Sequence, residues 1–146
     1  MLLGIPRIIP PELLKLMMEM GHGDELVLAD GNFPAASCAQ RLARCDGHGI
    51  GELLEAIVQL MPLDSYVEHP AFVMAVVPGD PVETPIWKRY RSTLTARTGL
   101  EEPLKQIERF AFYERAKKAY AIVATGETAQ YGNLILKKGV IRHDEV

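Results

Sequence analysis

The sequence lacks an excess of basic charge and lacks any long apolar run. Its 146 residues include 16 Lys and Arg against 19 Asp and Glu, which gives a formal net charge of −3. A nucleic-acid-binding domain would show a basic excess, so nucleic acid is not an expected partner. No stretch of about 18 apolar residues occurs, so no membrane span is predicted. The early Pro6, followed by the charged Glu12 and Lys15, does not fit a signal peptide, and we expect a cytoplasmic protein.

Cysteine is also scarce. Only Cys38 and Cys45 are present, and they form neither a CxxC pair nor a disulfide framework. In a chain without a secretion signal, two such cysteines are typical of reduced intracellular thiols. We therefore expect both to be free thiols, buried in the core.

Several motifs of known chemistry are missing. There is no Walker phosphate loop, no GxGxxG after a strand and no GxSxG nucleophile turn. The histidines at positions 22, 48, 69 and 143 show no metal-ligand spacing such as HExxH. Gly47-His48-Gly49 leads directly into a predicted helix, and we interpret it first as the loop before that helix. The sequence thus predicts neither a metal site nor a cofactor.

Helices and strands alternate along the chain. Apolar residues at helical spacing predict helices over residues 11–20, 51–61, 85–98 and 112–119. Short apolar stretches predict strands over residues 25–29, 71–77, 104–110, 120–124 and 134–136, and the ambiguous residues 40–45 are interpreted as a strand. The alternation and the length predict one α/β domain over residues 1–146, a three-layer structure with helices on both faces of a central sheet.

A turn, a strand and a loop follow one another between residues 20 and 35. Glycines flank His22 in the turn, and Asp30 follows the apolar strand over residues 25–29. In α/β proteins ligands gather at the carboxyl ends of strands, which makes Asp30 a candidate binding group. Each residue also has a purely structural interpretation, since His22 could be a surface turn residue and Asp30 could stabilise its own turn.

Polar residues recur in or beside the predicted turns and strand ends, namely His22, Asp30, Asn32, Arg109, Tyr113, Tyr131 and Asn133. Carboxylate, amide and guanidinium groups suit a polyhydroxylated ligand, because they hold hydroxyls in fixed directions. A histidine also suits proton transfer near neutral pH. Opening a sugar ring needs only such transfers, since one group removes the proton of the anomeric hydroxyl while another protonates the ring oxygen.

The residues alone leave their roles open. Asp30 could orient His22, bind a sugar hydroxyl or act as a base, and Arg109 could stabilise a developing alkoxide. Tyr131 could stack on the sugar, donate a hydrogen bond or anchor its loop. Asn133 could bind a hydroxyl or cap the same loop. Whether Tyr113 or Trp87 contacts a ligand is not determined by the pattern.

Motifs along the whole chain resemble the L-fucose mutarotase family, whose sister family is D-ribose pyranase. In the N-terminal half they are Pro6-Arg7-Ile8, Pro11-Glu12-Leu13-Leu14, Met20-Gly21-His22-Gly23-Asp24, Leu28-Ala29-Asp30 and Asn32-Phe33-Pro34. In the C-terminal half they are residues 108–115, Thr125-Gly126-Glu127 and residues 131–136. Their order and separation are specific, although any one motif is weak. Arg109, where the sister family has histidine, and glycine at position 132 rather than alanine favour the fucose branch.

The resemblance implies a D-ribose pyranase-like fold and the interconversion of the α and β anomers of L-fucose without cofactor or metal. It implies that His22 is the catalytic proton donor, and we add Asp30 as the second catalytic group. The implied substrate-binding residues are Asp30, Arg109, Tyr131, Gly132 and Asn133. It also implies a homo-oligomer, a decamer of two pentameric rings with active sites near subunit boundaries.

Three functions are consistent with these residues. The first is an isomerase, a mutarotase acting on L-fucose or a close stereochemical relative. The second is a non-catalytic monosaccharide-binding or sensing module, which would use the same polar residues without a proton donor. The third is an acid/base isomerase or aldolase acting on an open-chain sugar, which would usually require a metal or an activated lysine.

Overall fold

The computed structural model describes residues 1–146, and its helices and strands alternate as predicted. The helices are α1 (Pro11–Glu19), α2 (Ala35–Cys38), α3 (Ile50–Leu60), α4 (Ile86–Thr98) and α5 (Arg109–Lys118). The strands are β1 (Glu25–Ala29), β2 (Leu42–Cys45), β3 (Ala71–Met74), β4 (Leu104–Ile107), β5 (Ala121–Thr125) and β6 (Leu134–Lys137). A short 3-10 helix covers His143–Glu145. None of the helices combines the length and the apolar character that a membrane span requires.

The six strands form one sheet in the order β2-β5-β1-β6-β3-β4. β6 runs antiparallel to its neighbours β1 and β3, and every other pair is parallel. Strands β1 to β5 therefore all end at the same edge of the sheet, here called the carboxyl edge, and β6 begins there. At the opposite edge, called the amino edge, β1 to β5 begin and β6 ends. Because β6 is antiparallel, the loop that precedes it lies at the carboxyl edge, next to the loops that follow β1 and β3.

Both faces of the sheet are covered. Leu26 and Leu28 of β1 belong to one apolar cluster, to which α1, α3 and α4 contribute. Val27 and Ala29 of the same strand belong to a second cluster, to which α2 and α5 contribute. Successive strand residues point to opposite faces, so a doubly covered sheet requires strands that are apolar throughout. The predicted three-layer α/β architecture is confirmed.

The bounds of two helices follow from local contacts. α4 ends at Gly99, which has a φ of 73° and donates its N–H to the carbonyl of Thr95 at 2.8 Å. α3 begins after Gly49, whose N–H donates to the Glu52 carboxylate at 3.0 Å. The glycines around His48 therefore form the loop before α3, as the sequence predicts.

The predicted strand over residues 104–110 is too long. It ends at Ile107, because the Glu108 carboxylate accepts hydrogen bonds from the N–H groups of Phe110 at 2.9 Å and Ala111 at 3.1 Å. This cap begins α5, so Arg109 lies in the first turn of a helix rather than in a strand.

Three further features differ from what the sequence predicts. The predicted strand over residues 71–77 ends at Met74, and the chain after it enters a turn. α2 is not predicted from the sequence, because four residues carry too little helical periodicity to detect. Cys45 is a buried free thiol as expected, whereas Cys38, at the end of α2, is only half-buried.

Gly126, which directly follows β5, offers a test of the packing at the carboxyl edge. A methyl group added there would overlap the carbonyl oxygen of Asp46. We expect Gly126→Ala to lower the free energy of unfolding by about 2 kcal/mol, because the backbone must move to relieve the overlap. Gly47→Ala is the matched control, since nothing lies within 4 Å of its added methyl group. Urea denaturation of both variants measures the difference, and equal midpoints would contradict the packing described here.

Candidate active site

A cavity of about 370 Å³ opens at the carboxyl edge of the sheet. The loops after β1 and β3, the start of α5 and the loop before β6 surround it. Its lining residues are Asp30, Asn32, Phe33, Met74, Val77, Asp80, Arg109, Tyr113, Gln130, Tyr131 and Asn133. The cavity thus brings together Asp30, Arg109, Tyr131 and Asn133, which the sequence proposes as sugar-binding residues.

Asp30 and Asn133 form the buried floor of this cavity. The backbone N–H of Asp30 donates to Oδ1 of Asn133 at 2.7 Å, and Nδ2 of Asn133 donates to Oδ2 of Asp30 at 3.0 Å. The other carboxylate oxygen of Asp30 accepts from the N–H of Asn32 at 2.9 Å. Asp30 and Asn133 are each less than a tenth exposed. These bonds join the end of β1 to the start of β6 and fix the direction of the carboxylate.

Burial raises the pKa of Asp30 above its ordinary value. Hydrogen bonds from Asn32, Phe33 and Asn133 oppose this shift, and the nearby negative charge of Glu127 adds to it. A carboxylate with a raised pKa accepts a proton more readily than a free one. Asp30 is therefore suited to receive a proton from a bound hydroxyl.

The segment that carries Tyr131 and Gly132 is held from behind by α4. Tyr131 has a φ of 56°, a left-handed conformation that is unusual for a residue other than glycine. Nε1 of Trp87 donates to the Tyr131 carbonyl at 2.8 Å, and the Tyr90 hydroxyl donates to the Gly132 carbonyl at 2.7 Å. A side chain at position 132 would lie 2.9 Å from the Ala129 carbonyl oxygen. Gly132 and Trp87 therefore shape the segment but do not line the cavity.

The first turns of α5 supply Arg109 and Tyr113. The Tyr113 ring stacks on Phe33 with 5.1 Å between centroids, and the Arg109 guanidinium carbon lies 6.0 Å from the centroid of the same tyrosine ring. Arg109 is exposed at the mouth of the cavity. Phe33, Tyr113, Met74 and Val77 form the aromatic and apolar part of the lining, here called the apolar wall, and the remaining lining groups are polar.

His22 does not lie at this cavity. It precedes β1, whereas Asp30 follows β1, and the five residues of that strand span about 16 Å at roughly 3.3 Å each. That length exceeds the combined reach of the two side chains. Within one copy of the chain, the two proposed catalytic residues, His22 and Asp30, are therefore separated by the full length of β1.

At the amino edge His22 has its own polar partners. Its Nε2 lies 3.2 Å from Oδ1 of Asp64. The centroid of its imidazole ring lies 5.6 Å from the centroid of the Tyr66 ring. Burial by itself would raise the pKa of Asp64. The N–H of Tyr66, His22 and the ammonium of Lys137 outweigh burial and hold the pKa below its ordinary value. Asp64 is therefore a carboxylate that accepts from His22 and orients the imidazole.

An apolar groove of about 470 Å³ runs beside His22. Residues of α1, the end of α3 and the chain after β6 line it, among them Met17, Met18, Leu60 and Ile141. Met18 and Ile141 are more than half exposed. The histidine thus stands at the rim of a surface that one copy of the chain leaves uncovered.

No group of three or more His, Cys, Asp or Glu side chains is placed to hold a metal ion.

Sequence reasoning missed two acidic residues of these sites. Asp80 lines the cavity and follows a turn after the buried strand β3, so the rule that singled out Asp30 could have found it. Asp64 follows Pro62, which ends α3, and nothing in the local pattern indicates its contact with His22, because the two residues are 42 positions apart.

The comparisons with known proteins agree with this architecture. The chain belongs to the RbsD / FucU transport protein family, whose model matches residues 3–141. It is 58% identical over 144 residues to the fucose mutarotase of Homo sapiens, covering 94% of this chain and 93% of that protein. The crystal structure of the fucose mutarotase from Streptococcus pneumoniae in complex with L-fucose has a TM-score of 0.92 at 55% identity, over 97% of this chain and 100% of that chain.

A more distant structure shares the fold. RbsD of Bacillus subtilis, solved as a complex with D-ribose, has a TM-score of 0.72 at 18% identity, over 92% of this chain and 95% of that chain. The family resemblance and the α/β fold predicted from the sequence are both confirmed.

The contact between Asp30 and Asn133 can be tested by charge. Asn133→Asp places a second carboxylate against Asp30, and we expect it to lower the free energy of unfolding by about 3 kcal/mol at neutral pH. Two adjacent carboxylates retain a proton, so the native state binds more protons than the unfolded chain and stability falls as the pH rises. The loss should therefore be smaller at about pH 5 than at neutral pH.

Asn32→Asp is the control for that substitution, because Asn32 is exposed and its side chain makes no hydrogen bond in the structure. Chemical denaturation of both variants across pH gives the comparison. A pH-independent loss, or one equal to that of the control, would show that residue 133 does not contact the Asp30 carboxylate.

Proposed function

We propose that this protein is an L-fucose mutarotase, an isomerase that interconverts the α and β anomers by acid/base opening and closure of the sugar ring. The observation that carries the proposal is the cavity in which the buried Asp30–Asn133 pair, Arg109 and an apolar wall converge. Carboxylate, amide and guanidinium groups suit sugar hydroxyls, and the wall with Met74 and Val77 suits the methyl group of a 6-deoxy sugar. The names of the similar proteins agree with this assignment.

The chemistry follows from the groups in and around the cavity. Asp30, with its raised pKa, accepts the proton of a bound hydroxyl, and Asn133 and the N–H of Asn32 keep its carboxylate in place. The permanent charge of Arg109 stabilises negative charge that develops on the sugar oxygen. His22 donates the proton to the ring oxygen. The carbon–oxygen bond of the ring then breaks and the aldehyde rotates. On closure the freed hydroxyl attacks the other face of the aldehyde and returns its proton to His22, while the new anomeric oxygen takes back the proton from Asp30.

This scheme requires two copies of the chain, because His22 lies at the amino edge and Asp30 at the carboxyl edge. We place the amino edge of one copy against the cavity of the next, so that His22 of one subunit completes the site of its neighbour. Apolar side chains support this contact. Tyr66 and Met18 are exposed near His22, and Phe110 is exposed beside Arg109.

Contact between two different surfaces is head-to-tail, and such contacts close into rings when the rotation permits. A pentameric ring, two of which stack as a decamer, is the assembly that we propose. Residues 1–146 then act as one mutarotase domain in each subunit. The two free cysteines support a reducing compartment, the cytoplasm, as the place of action.

A second function has one observation in its favour. No histidine lines the cavity of a single copy. If the chain works as a monomer, the cavity is a monosaccharide-binding site without a proton donor. The assembly state therefore separates the mutarotase from a sugar-binding or sensing module.

NMR magnetisation exchange between the α and β anomeric protons of L-fucose tests the activity directly. We expect a catalytic amount of protein to accelerate the exchange, and D-ribose to respond less. We expect His22→Ala to slow it at least about 100-fold while L-fucose still binds, because loss of a general acid lowers the rate more than affinity.

His48→Ala is the matched control, since His48 also lies between two glycines but belongs to the loop before α3 and does not line the cavity. This variant should interconvert the anomers of L-fucose at the native rate. If no acceleration occurs with the native protein, or if His22→Ala is as active as the control, the proposed mechanism is wrong.

A further inference from the structure

The loop after β3 contains a rigid turn that faces the cavity. Pro78 and Gly79 form its centre, Gly79 has a φ of 88°, and the N–H of Asp80 donates to the carbonyl of Val77 at 3.0 Å. Proline followed by a glycine with positive φ is the preferred sequence of a type II turn. Pro78 has a fixed φ, and Gly79 adopts without strain the positive φ that the second central position requires, so the turn itself sets the position of Asp80 at the cavity.

Asp80 makes a short hydrogen bond to Tyr131. The tyrosine hydroxyl donates to Oδ2 of Asp80 at 2.6 Å and accepts from the N–H of Val77 at 3.3 Å. The phenol has a single hydrogen, and that hydrogen is directed to the carboxylate. Tyr131 therefore presents its ring to the cavity, while its hydroxyl connects the loop before β6 to the turn after β3.

The backbone of Tyr131 needs such a restraint. Its φ of 56° is unfavourable for a side chain of this size. Trp87 holds its carbonyl at 2.8 Å, so the peptide is restrained on the side of α4. The bond to Asp80 restrains the other end of the residue, the ring. Apart from the longer contact from the N–H of Val77 at 3.3 Å, that bond is the hydrogen bond that fixes the hydroxyl end of the ring.

We propose that Asp80 is a positioning residue for the mutarotase reaction, which holds the Tyr131 ring as a wall against the sugar. This proposal rests on the proposed function. It assigns Asp80 no contact with the reacting atoms and no proton transfer. Through Tyr131, Asp80 therefore affects the affinity for the sugar and not the rate at which bound sugar is converted.

The test is a double-mutant cycle in the full-length protein, measured as KM and kcat of L-fucose anomer exchange. We expect Asp80→Ala and Tyr131→Phe each to raise KM about tenfold, the range of a lost charge-assisted hydrogen bond, with kcat nearly unchanged. The double variant should be no worse than either single one, because both remove the same bond. Asp80→Asn should recover part of the loss, since its amide oxygen still accepts from the tyrosine.

Glu83→Ala is the matched control, because Glu83 is an exposed carboxylate on the same loop with no hydrogen-bond partner in the structure. It should leave KM unchanged. Three results would overturn the proposal. The first is a native KM in Asp80→Ala, the second is a KM in the double variant raised by the product of the two single increases, and the third is a KM in Asp80→Asn as high as that in Asp80→Ala. Circular dichroism confirms that each variant is folded before kinetics are compared.

A second readout does not depend on activity. The bond to Asp80 raises the pKa of Tyr131, and the carbon-13 signal of its ring reports that titration by NMR. In Asp80→Ala the titration should move to lower pH, and in Glu83→Ala it should not. If the native protein fails to accelerate L-fucose exchange but this shift is seen, the proposed function fails while the contact stands. An unchanged titration refutes the positioning role whatever the activity.

Discussion

β6 runs against the five other strands and lies between β1 and β3. Leu134, its first residue, is paired with Leu28 near the end of β1, so the residues just before β6 and just after β1 must meet. The paired hydrogen bonds between Asp30 and Asn133 occupy that meeting point. If β6 were parallel to its neighbours, the same side chains would lie at opposite edges. The reversed strand is thus the constraint on which the cavity depends.

The same geometry separates the two groups that the proposed chemistry uses. A short strand lies between His22 and Asp30, and no loop movement within one copy can bring the two ends of that strand together. The imidazole is instead oriented at the amino edge by Asp64, on the rim of an apolar groove. Assembly is then part of the proposed mechanism, since each subunit supplies an acid to one site and a carboxylate to another.

The sequence predicted the fold well because its signals are local. Apolar strands without alternation indicated a sheet covered on both faces, and glycine or proline marked most helix ends. The site was predicted less completely. The sequence singles out Asp30 from its place after a strand and includes Asn133 among the same candidate polar groups. It does not indicate that these two side chains pair, because they lie 103 positions apart. Arg109 was assigned to the wrong element, because the helix cap by Glu108 overrides an apolar pattern. The separation of His22 from Asp30 follows from the strand between them.

The most direct test of a site shared between subunits is complementation between two inactive variants. His22→Ala retains an intact cavity, and Asp30→Asn retains an intact histidine edge. When the two are mixed, dissociated and reassembled, about a quarter of the interfaces in a random head-to-tail ring should combine both intact parts. L-fucose anomer exchange should then recover to about that fraction of the native rate. If mixed oligomers form, as seen by native mass spectrometry, and no activity returns, the two edges do not build one site.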